Sequence, residues 1–130
     1  ILDYEVTALA VDHTIDSAAF VIRDASGAIA ISGDTGPTDR LWEVLNEARD
    51  LKALLMEVSF PDRMEALAAL SGHHTPGTLK QDLLKYKEAQ DLPTLLYHIK
   101  PAFQGEVERA CAKLQGLNLH VLQLDEELEF

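Results

Sequence analysis

The stretch Ala28-Ile29-Ala30-Ile31-Ser32-Gly33-Asp34-Thr35-Gly36-Pro37 joins a short apolar run to a polar loop. The apolar run predicts a strand, and the loop ends it, because glycine, aspartate and proline favour turns. A second apolar run over 18–22 precedes it, and the intervening Asp24-Ala25-Ser26-Gly27 predicts a hairpin turn. Imperfect apolar alternation over 3–11 adds a third strand at the start of the chain.

Beyond the loop, the pattern changes to helices and buried strands. Leu41, Trp42 and Leu45 have the spacing of one helix face, with Thr38 or Asp39 as the N-cap. The remaining predicted elements are a strand over 54–60, helices over 61–70 and 75–91, a strand over 94–99, a helix over 107–114 and a strand over 119–124. This order, β-β-β-α-β-α-α-β-α-β, predicts a single α/β domain over 1–130, with helices layered on a mixed β-sheet.

Composition limits the function classes. The chain has 130 residues, is 47% hydrophobic, and has 11 Lys+Arg against 22 Asp+Glu, for a formal charge of −11. This acidity disfavours duplex nucleic acid as a partner, because like charges repel. No apolar run approaches the roughly 20 residues of a membrane span, and the first five residues lack the basic start of a signal peptide. The single cysteine, Cys111, fits a reducing compartment, so we expect a cytoplasmic protein.

Most of the polar residues that could carry chemistry lie at predicted strand or helix ends, where α/β proteins bind ligands. Asp34 is either a metal ligand or an aspartate that caps backbone amides in a turn, and composition alone favours the turn. His98 is either a ligand or a satisfied core histidine. His73 and the adjacent His74 are ligands, general acids or cap residues, and at most one of them is expected to be functional. Glu57 either orients a neighbouring histidine or caps the following helix.

Four segments in a fixed order carry a more specific signal. They are Ser32-Gly33-Asp34-Thr35-Gly36-Pro37, Glu57-Val58-Ser59-Phe60-Pro61-Asp62-Arg63, Ser71-Gly72-His73-His74-Thr75-Pro76 and His98-Ile99-Lys100-Pro101-Ala102-Phe103. Together they resemble the C-terminal half of the αβ/βα fold of metallo-β-lactamase-fold hydrolases. The resemblance is nearest to the class II cyclic nucleotide phosphodiesterases and more distant to the tRNA 3′-end-processing endonucleases. It covers essentially the whole chain.

The resemblance implies two divalent metal ions, with zinc first and manganese or iron as alternatives. It implies that Asp34 bridges the ions and that His98 ligates one of them. The family's His-x-His-x-Asp-His motif, which supplies most of the ligands, is absent from these 130 residues. Two ligands are too few for a stable two-metal site. We therefore expect either a piece of a longer enzyme or one half that another polypeptide completes, and we expect the isolated chain to bind metal weakly.

The resemblance also implies a mechanism. A metal-bridging hydroxide attacks phosphorus while His73, as the general acid, protonates the leaving oxygen. Glu57 matches an acidic position that tunes this histidine, and His13 and Thr35 match positions on the substrate side. The implied reaction is hydrolysis of a small phosphodiester, in the first place a 3′,5′-cyclic nucleotide.

Two alternatives stay open. Within the same fold, the protein is another hydrolase that acts on RNA ends or on other esters. In a different class, it is a non-catalytic half-domain that pairs with a partner chain through an unpaired sheet edge. A second copy of this chain, which would form a homodimer, is one candidate for that partner.

Overall fold

The computed structural model describes residues 2–130 and contains a six-stranded sheet with helices packed on one face. The strands are β1 (Glu5–Ala10), β2 (Ala18–Asp24), β3 (Gly27–Ile31), β4 (Leu51–Glu57), β5 (Thr94–Tyr97) and β6 (Leu119–Val121). The helices are α1 (Arg40–Glu47), α2 (Glu65–Ser71), α3 (Pro76–Leu83) and α4 (Gln104–Ala112), and short 3₁₀ turns over Asp62–Met64 and Pro101–Phe103 precede α2 and α4.

The strands follow one another across the sheet in chain order. The pairs β1–β2 and β2–β3 are antiparallel, and β3–β4, β4–β5 and β5–β6 are parallel. The Asp24 carboxylate accepts the amides of Ser26 and Gly27, which closes the predicted β2–β3 turn. The mixed sheet and the element order are therefore as the sequence predicts.

Several element boundaries differ from the prediction. Strand β4 begins at Leu51 rather than at residue 54, because Leu51 and Ala53 already pair with Ala28 and Ile29 of β3. The polar Lys52 breaks the apolar pattern there and conceals the pairing. Helix α3 ends at Leu83, and successive turns replace the predicted helix up to residue 91.

The main core lies between the sheet and the helices. Leu41, Trp42 and Leu45 of α1 are at most 2% exposed, as the helical spacing predicts, and Cys111 of α4 is also buried. The strands supply Leu54, Met56 and Leu96 to the same cluster. Burying side chains of this size stabilises the fold by roughly 2 kcal/mol each.

The opposite face of the sheet is also apolar, but the helices do not cover it. Phe20, Ile31, Leu55 and Leu95 lie side by side in register across β2, β3, β4 and β5. None of these four belongs to the main core cluster; Leu95 is only 5% exposed, Ile31 and Leu55 are half-buried, and Phe20 is 39% exposed. Towards the β1 edge, Val6 is 51% exposed. This part of the molecule therefore presents an apolar sheet face, defined by Val6, Phe20, Ile31 and Leu55.

No helix within residues 2–130 combines the length and the hydropathy that crossing a lipid bilayer requires.

Candidate active site

The parallel strands bring the polar segments to one edge of the sheet. Asp34 follows β3, Glu57 is the last residue of β4, and His98 follows β5. Because these strands are parallel neighbours, their carboxyl ends meet at the same edge. The segment between α2 and α3 adds His73 at that edge, where its ring lies 5.1 Å from the His98 ring, centroid to centroid.

Glu57 is fully buried and connects the segments of the site. Its Oε1 accepts the Thr35 amide at 3.2 Å and lies 2.7 Å from His73 Nδ1. Its Oε2 accepts the Ser59 hydroxyl at 3.2 Å and the His74 amide at 3.4 Å. A buried carboxyl group needs such partners, because leaving it unsatisfied costs several kcal/mol, or roughly 2 kcal/mol for each unpaired polar atom. The contact with His73 is the geometry expected of a carboxyl group that orients a histidine, and this role of Glu57 stays a prediction.

Burial also sets the protonation of the Glu57–His73 pair. It raises the pKa of Glu57 to about 8, although the amides of His74 and Thr35 and the Ser59 hydroxyl oppose the shift. Burial, together with the charge of Lys100, lowers the pKa of His73 to about 4. At neutral pH Glu57 is therefore protonated and the His73 imidazole is neutral.

His98 stands in a strained backbone conformation, with φ of +69°. Its Nδ1 lies 3.1 Å from the Ser59 hydroxyl and 3.5 Å from Asp34 Oδ1. Its Nε2 is 3.5 Å from Lys100 Nζ. Burial lowers the pKa of His98, while the nearby Asp34 raises it. Non-glycine residues in this conformation are uncommon, and where they occur they often position a functional side chain.

His13 reaches the site from the loop after β1. Its Nδ1 lies 2.8 Å from the Gly72 carbonyl oxygen, to which it donates, so its Nε2 carries a free lone pair. Its ring lies 4.9 Å from the His73 ring in an edge-on arrangement. Gly72 has φ of +70° at the end of α2, and a Cβ there would lie 2.8 Å from His13 Nδ1. The position therefore requires glycine for its conformation and for the close approach of His13.

Two groups of side chains in the structure have the chemistry of a divalent metal site. In one, ligand atoms of His13, Asp34 and His73 lie within 4.8 Å of one another, and in the other, ligand atoms of Glu57, His73 and His98 do. Imidazole and carboxylate donors suit zinc, manganese and iron. The Asp34 carboxylate caps no backbone amide within residues 2–130, so the turn interpretation of this aspartate is not what the geometry shows. The residues present fit part of such a site.

Thr35, which we predict on the substrate side, is fully buried in the structure. Its hydroxyl lies 2.8 Å from the Gly36 carbonyl oxygen and 3.2 Å from that of Asp12. It thereby holds the Asp34 loop against the loop that carries His13. The predicted substrate contact of Thr35 stays a prediction.

A buried network that sequence reasoning did not find supports the loop of His73. His74 is fully buried, and its Nε2 lies 3.4 Å from Asp82 Oδ2 of α3. Asp82 is 1% exposed and also accepts the Thr38 amide and the Lys85 ammonium. The His74 carbonyl accepts the Ser59 amide at 2.9 Å. The sequence singled out this loop by its motif and its adjacent histidines, but nothing in the sequence links His74 to an aspartate eight residues later.

Solved structures with the same fold identify the class. The chain superposes on the metallo-β-lactamase fold protein YhfI from Bacillus subtilis with a TM-score of 0.71 and 16% identity, over 93% of this chain and 48% of that one. It superposes on the short form of human tRNase Z with a TM-score of 0.66 and 20% identity, over 93% and 41% of the two chains. The fold is therefore the metallo-β-lactamase fold, of which these residues span a part, and the resemblance indicated by the motifs is confirmed.

Relatives found by sequence are named as phosphodiesterases. A Yersinia pestis protein named probable 3′,5′-cyclic-nucleotide phosphodiesterase is 33% identical over 106 residues, which is 68% of this chain and 31% of that protein. The zinc phosphodiesterase ELAC protein 2 homolog of Caenorhabditis elegans is 41% identical over 73 residues, 56% of this chain and 8% of the relative. The chain thus spans about a third of the first relative and less than a tenth of the second. No protein-family model matches it.

Proposed function

We propose that this chain forms part of the active site of a metal-dependent hydrolase that cleaves phosphodiesters. The observation that carries the proposal is the meeting of Asp34, Glu57, His73 and His98 at one edge of the sheet, with a 2.7 Å contact between Glu57 and His73. Both sequence relatives described above are named as phosphodiesterases, which supports the reaction class.

In this proposal, His73 is the general acid and Glu57 positions and supplies its proton. The His73 ring accepts at Nδ1 from the protonated Glu57, so its own hydrogen is on Nε2. As the bond from phosphorus to the leaving oxygen breaks, Nε2 donates its hydrogen to that oxygen. Nδ1 takes the proton of Glu57 in the same event, and the pair ends as a carboxylate beside a neutral imidazole. The charge that burial disfavours is thereby confined to Glu57, whose two amide donors and one hydroxyl donor stabilise it.

Asp34 and His98 are the proposed metal ligands, and His13 is near enough to Asp34 to join them. A bound divalent ion would offset the charge of the phosphodiester and lower the pKa of a water molecule. Ser59 holds the His98 ring through its contact with Nδ1, and that nitrogen also lies 3.5 Å from Asp34 Oδ1, so the same edge of the ring faces the other proposed ligand. We propose zinc first, because imidazole and carboxylate form its usual catalytic sites.

The remaining ligands are proposed to come from outside these residues, either from more of the same protein or from a partner chain. The apolar sheet face of Val6, Phe20, Ile31 and Leu55 is the proposed contact surface of that other half, because the helices leave it uncovered. The solved structures of the same fold are about twice the length that this chain covers, which leaves room for such a half.

For the substrate, we propose a small phosphodiester such as a 3′,5′-cyclic nucleotide. His13 lines a cleft of about 260 Å³ together with Asp12, Gly36 and Gly72, which supports a role for it beside a bound substrate. A charge of −11 disfavours a long polyanion. The single buried cysteine supports cytoplasm as the compartment.

RNA 3′-end processing is the second candidate. It is favoured by the likeness to the zinc phosphodiesterase ELAC protein 2 homolog and to tRNase Z. Assays of the protein together with its other half, loaded with a divalent metal, separate the two candidates when run with 3′,5′-cyclic AMP and with a tRNA precursor. Turnover of the cyclic nucleotide alone supports the first, and cleavage of the tRNA alone supports the second. Turnover of neither, with any added divalent metal, favours a non-catalytic half-domain.

The role of His73 is tested by changing the leaving group. His73→Asn should slow hydrolysis of 3′,5′-cyclic AMP, whose leaving alkoxide needs a proton, by about 100-fold or more. The same substitution should slow hydrolysis of a p-nitrophenyl phosphodiester far less, because p-nitrophenolate leaves without protonation. His120→Asn is the matched control, because His120 is exposed on β6 and pairs with Glu126. Equal losses on both substrates would contradict the general-acid role.

A further inference from the structure

Lys100 is a half-buried residue at the candidate site, in a chain of net charge −11. Its Nζ lies 3.5 Å from His98 Nε2 and 5.9 Å from the centroid of the Phe60 ring. Within the part of the chain that the structure describes, no carboxylate pairs with it. Arg63, on the neighbouring 3₁₀ turn, shows the usual arrangement, because it forms two hydrogen bonds to Glu106. The positive charge of Lys100 is therefore free at the site.

The backbone holds Lys100 at this place. The left-handed conformation of His98 turns the chain immediately after β5, which brings Lys100 Nζ to within 3.5 Å of His98 Nε2. The Lys100 amide donates to the Ser59 carbonyl at 3.2 Å, and its carbonyl accepts the Phe103 amide at 2.8 Å. The same Ser59 contacts Glu57 and His98 through its side chain. The backbone of Lys100 is therefore hydrogen-bonded to a residue that itself contacts two side chains of the site.

A lysine without a carboxylate partner leaves its charge available to an incoming anion. The Phe60 ring supports the ammonium through its π face, but it does not supply a counter-charge. The same ammonium also acts on His73, whose pKa it lowers. An anion that contacts Lys100 is therefore adjacent to the proposed general acid.

We propose that Lys100 binds an anionic phosphate oxygen of the substrate and so determines the preference of the site for phosphate esters. The inference rests on the proposed function, because it assigns a residue to the recognition of the phosphodiester. Charge-assisted hydrogen bonds from ammonium to phosphate are among the stronger polar contacts in proteins.

The test compares Lys100→Met, which keeps the apolar stem over Phe60, with Lys100→Arg, which keeps the charge. Lys113→Met, at an exposed position after α4, is the control. The protein with its other half, loaded with a divalent metal, is assayed with a p-nitrophenyl phosphodiester, and inorganic phosphate is titrated into the same proteins by calorimetry. Lys100→Met should raise KM and weaken phosphate binding by about tenfold, with a smaller change in kcat. Lys100→Arg should keep KM and phosphate affinity close to the wild-type values, and Lys113→Met should match the wild type in both.

Two results would overturn the inference. One is an unchanged KM and an unchanged phosphate affinity in Lys100→Met. The other is an equal loss in Lys100→Met and Lys100→Arg, which would show that the shape of the side chain matters and its charge does not. If no phosphodiester is hydrolysed, the proposed function fails, and the phosphate titration still decides on Lys100. Weaker phosphate binding in Lys100→Met alone supports the inference, and equal binding in all variants contradicts it.

Discussion

At the scale of single residues, burial controls the proton of the Glu57–His73 pair. Glu57 is fully buried and has its pKa raised to about 8 from 4.5, whereas His73 has its pKa lowered to about 4 from 6.5. Between pH 4.5 and 6.5 the folded pair and the unfolded pair each bind one proton, so the free energy of unfolding does not change with pH through this pair. Between pH 6.5 and 8 the folded pair keeps its proton and the unfolded pair has none.

A stability change with pH follows from this difference. Because the native state binds more protons in that window, the free energy of unfolding should fall as the pH rises from 6.5 to 8. The loss should be up to about 2 kcal/mol, since each pKa unit corresponds to about 1.4 kcal/mol. Urea denaturation of the metal-free protein at half-unit pH steps measures it. In Glu57→Gln, residue 57 no longer titrates, so the free energy of unfolding should not fall between pH 6.5 and 8. A fall of the same size in that variant would refute the assignment of the proton to this pair.

At the scale of elements, the loop between α2 and α3 depends on contacts at both of its ends. Asp82 of α3 holds one end through His74, and Gly72 at the end of α2 allows His13 to approach the other. The loop places His73 against Glu57, and its anchors also contact the site, because the Gly72 carbonyl accepts from His13 and the His74 amide donates to Glu57.

Removing Asp82 should destabilise the protein strongly. Asp82→Ala leaves the Thr38 amide, the Lys85 ammonium and the buried His74 ring without their carboxylate, and we expect a cost of about 3 kcal/mol. Asp39→Ala is a matched control, because Asp39 also binds Lys85 but its side chain is 83% exposed. That control should cost no more than about 0.5 kcal/mol. Equal unfolding midpoints of the two variants in urea would show that Asp82 is not an anchor.

Alanine substitutions at two glycines with similar positive φ distinguish the cost of backbone strain from the cost of a steric clash. Gly72→Ala and Gly116→Ala both place alanine at a positive φ, +70° and +76°, which costs about 1 kcal/mol. Only the first adds a Cβ 2.8 Å from His13 Nδ1, whereas nothing lies within 4 Å of the second. Gly72→Ala should therefore cost at least about 1 kcal/mol more in denaturant unfolding. It should also shift the NMR signals of the His13 ring, which Gly116→Ala should leave in place, and identical effects would contradict the role given to Gly72.

Local sequence patterns predict the elements well where one physical cause dominates. The apolar spacing of Leu41, Trp42 and Leu45 and the turn residues around Asp24 define α1 and the hairpin, because periodicity and turn chemistry act over a few residues. Strand β4 begins earlier than predicted because its pairing with β3, and not its own pattern, decides where it starts at Leu51. For the site, the motifs name Asp34, Glu57, His73 and His98, but the links of His74 to Asp82 and of Lys100 to His98 depend on how the chain folds back.

At the scale of the whole molecule, the described residues have a well-formed core, and the proposed metal site is incomplete within them. In the proposed function, another half packs on the apolar sheet face and supplies the remaining ligands. We therefore expect that calorimetric titration of the 130-residue chain with zinc or manganese shows only weak binding. Asp34→Ala and wild type should give similar heats. Tight binding at two sites on this chain alone, abolished by Asp34→Ala, would show that the site is already complete.

The central claim is that Asp34 belongs to a metal-dependent phosphodiesterase site. The most direct measurement is hydrolysis of 3′,5′-cyclic AMP and of a p-nitrophenyl phosphodiester by the protein with its other half, before and after treatment with a chelator, in wild type and Asp34→Asn. We expect the chelator to abolish hydrolysis and a divalent metal to restore it in the wild type but not in Asp34→Asn. Hydrolysis that survives both the chelator and the substitution, or none with any metal, would contradict it.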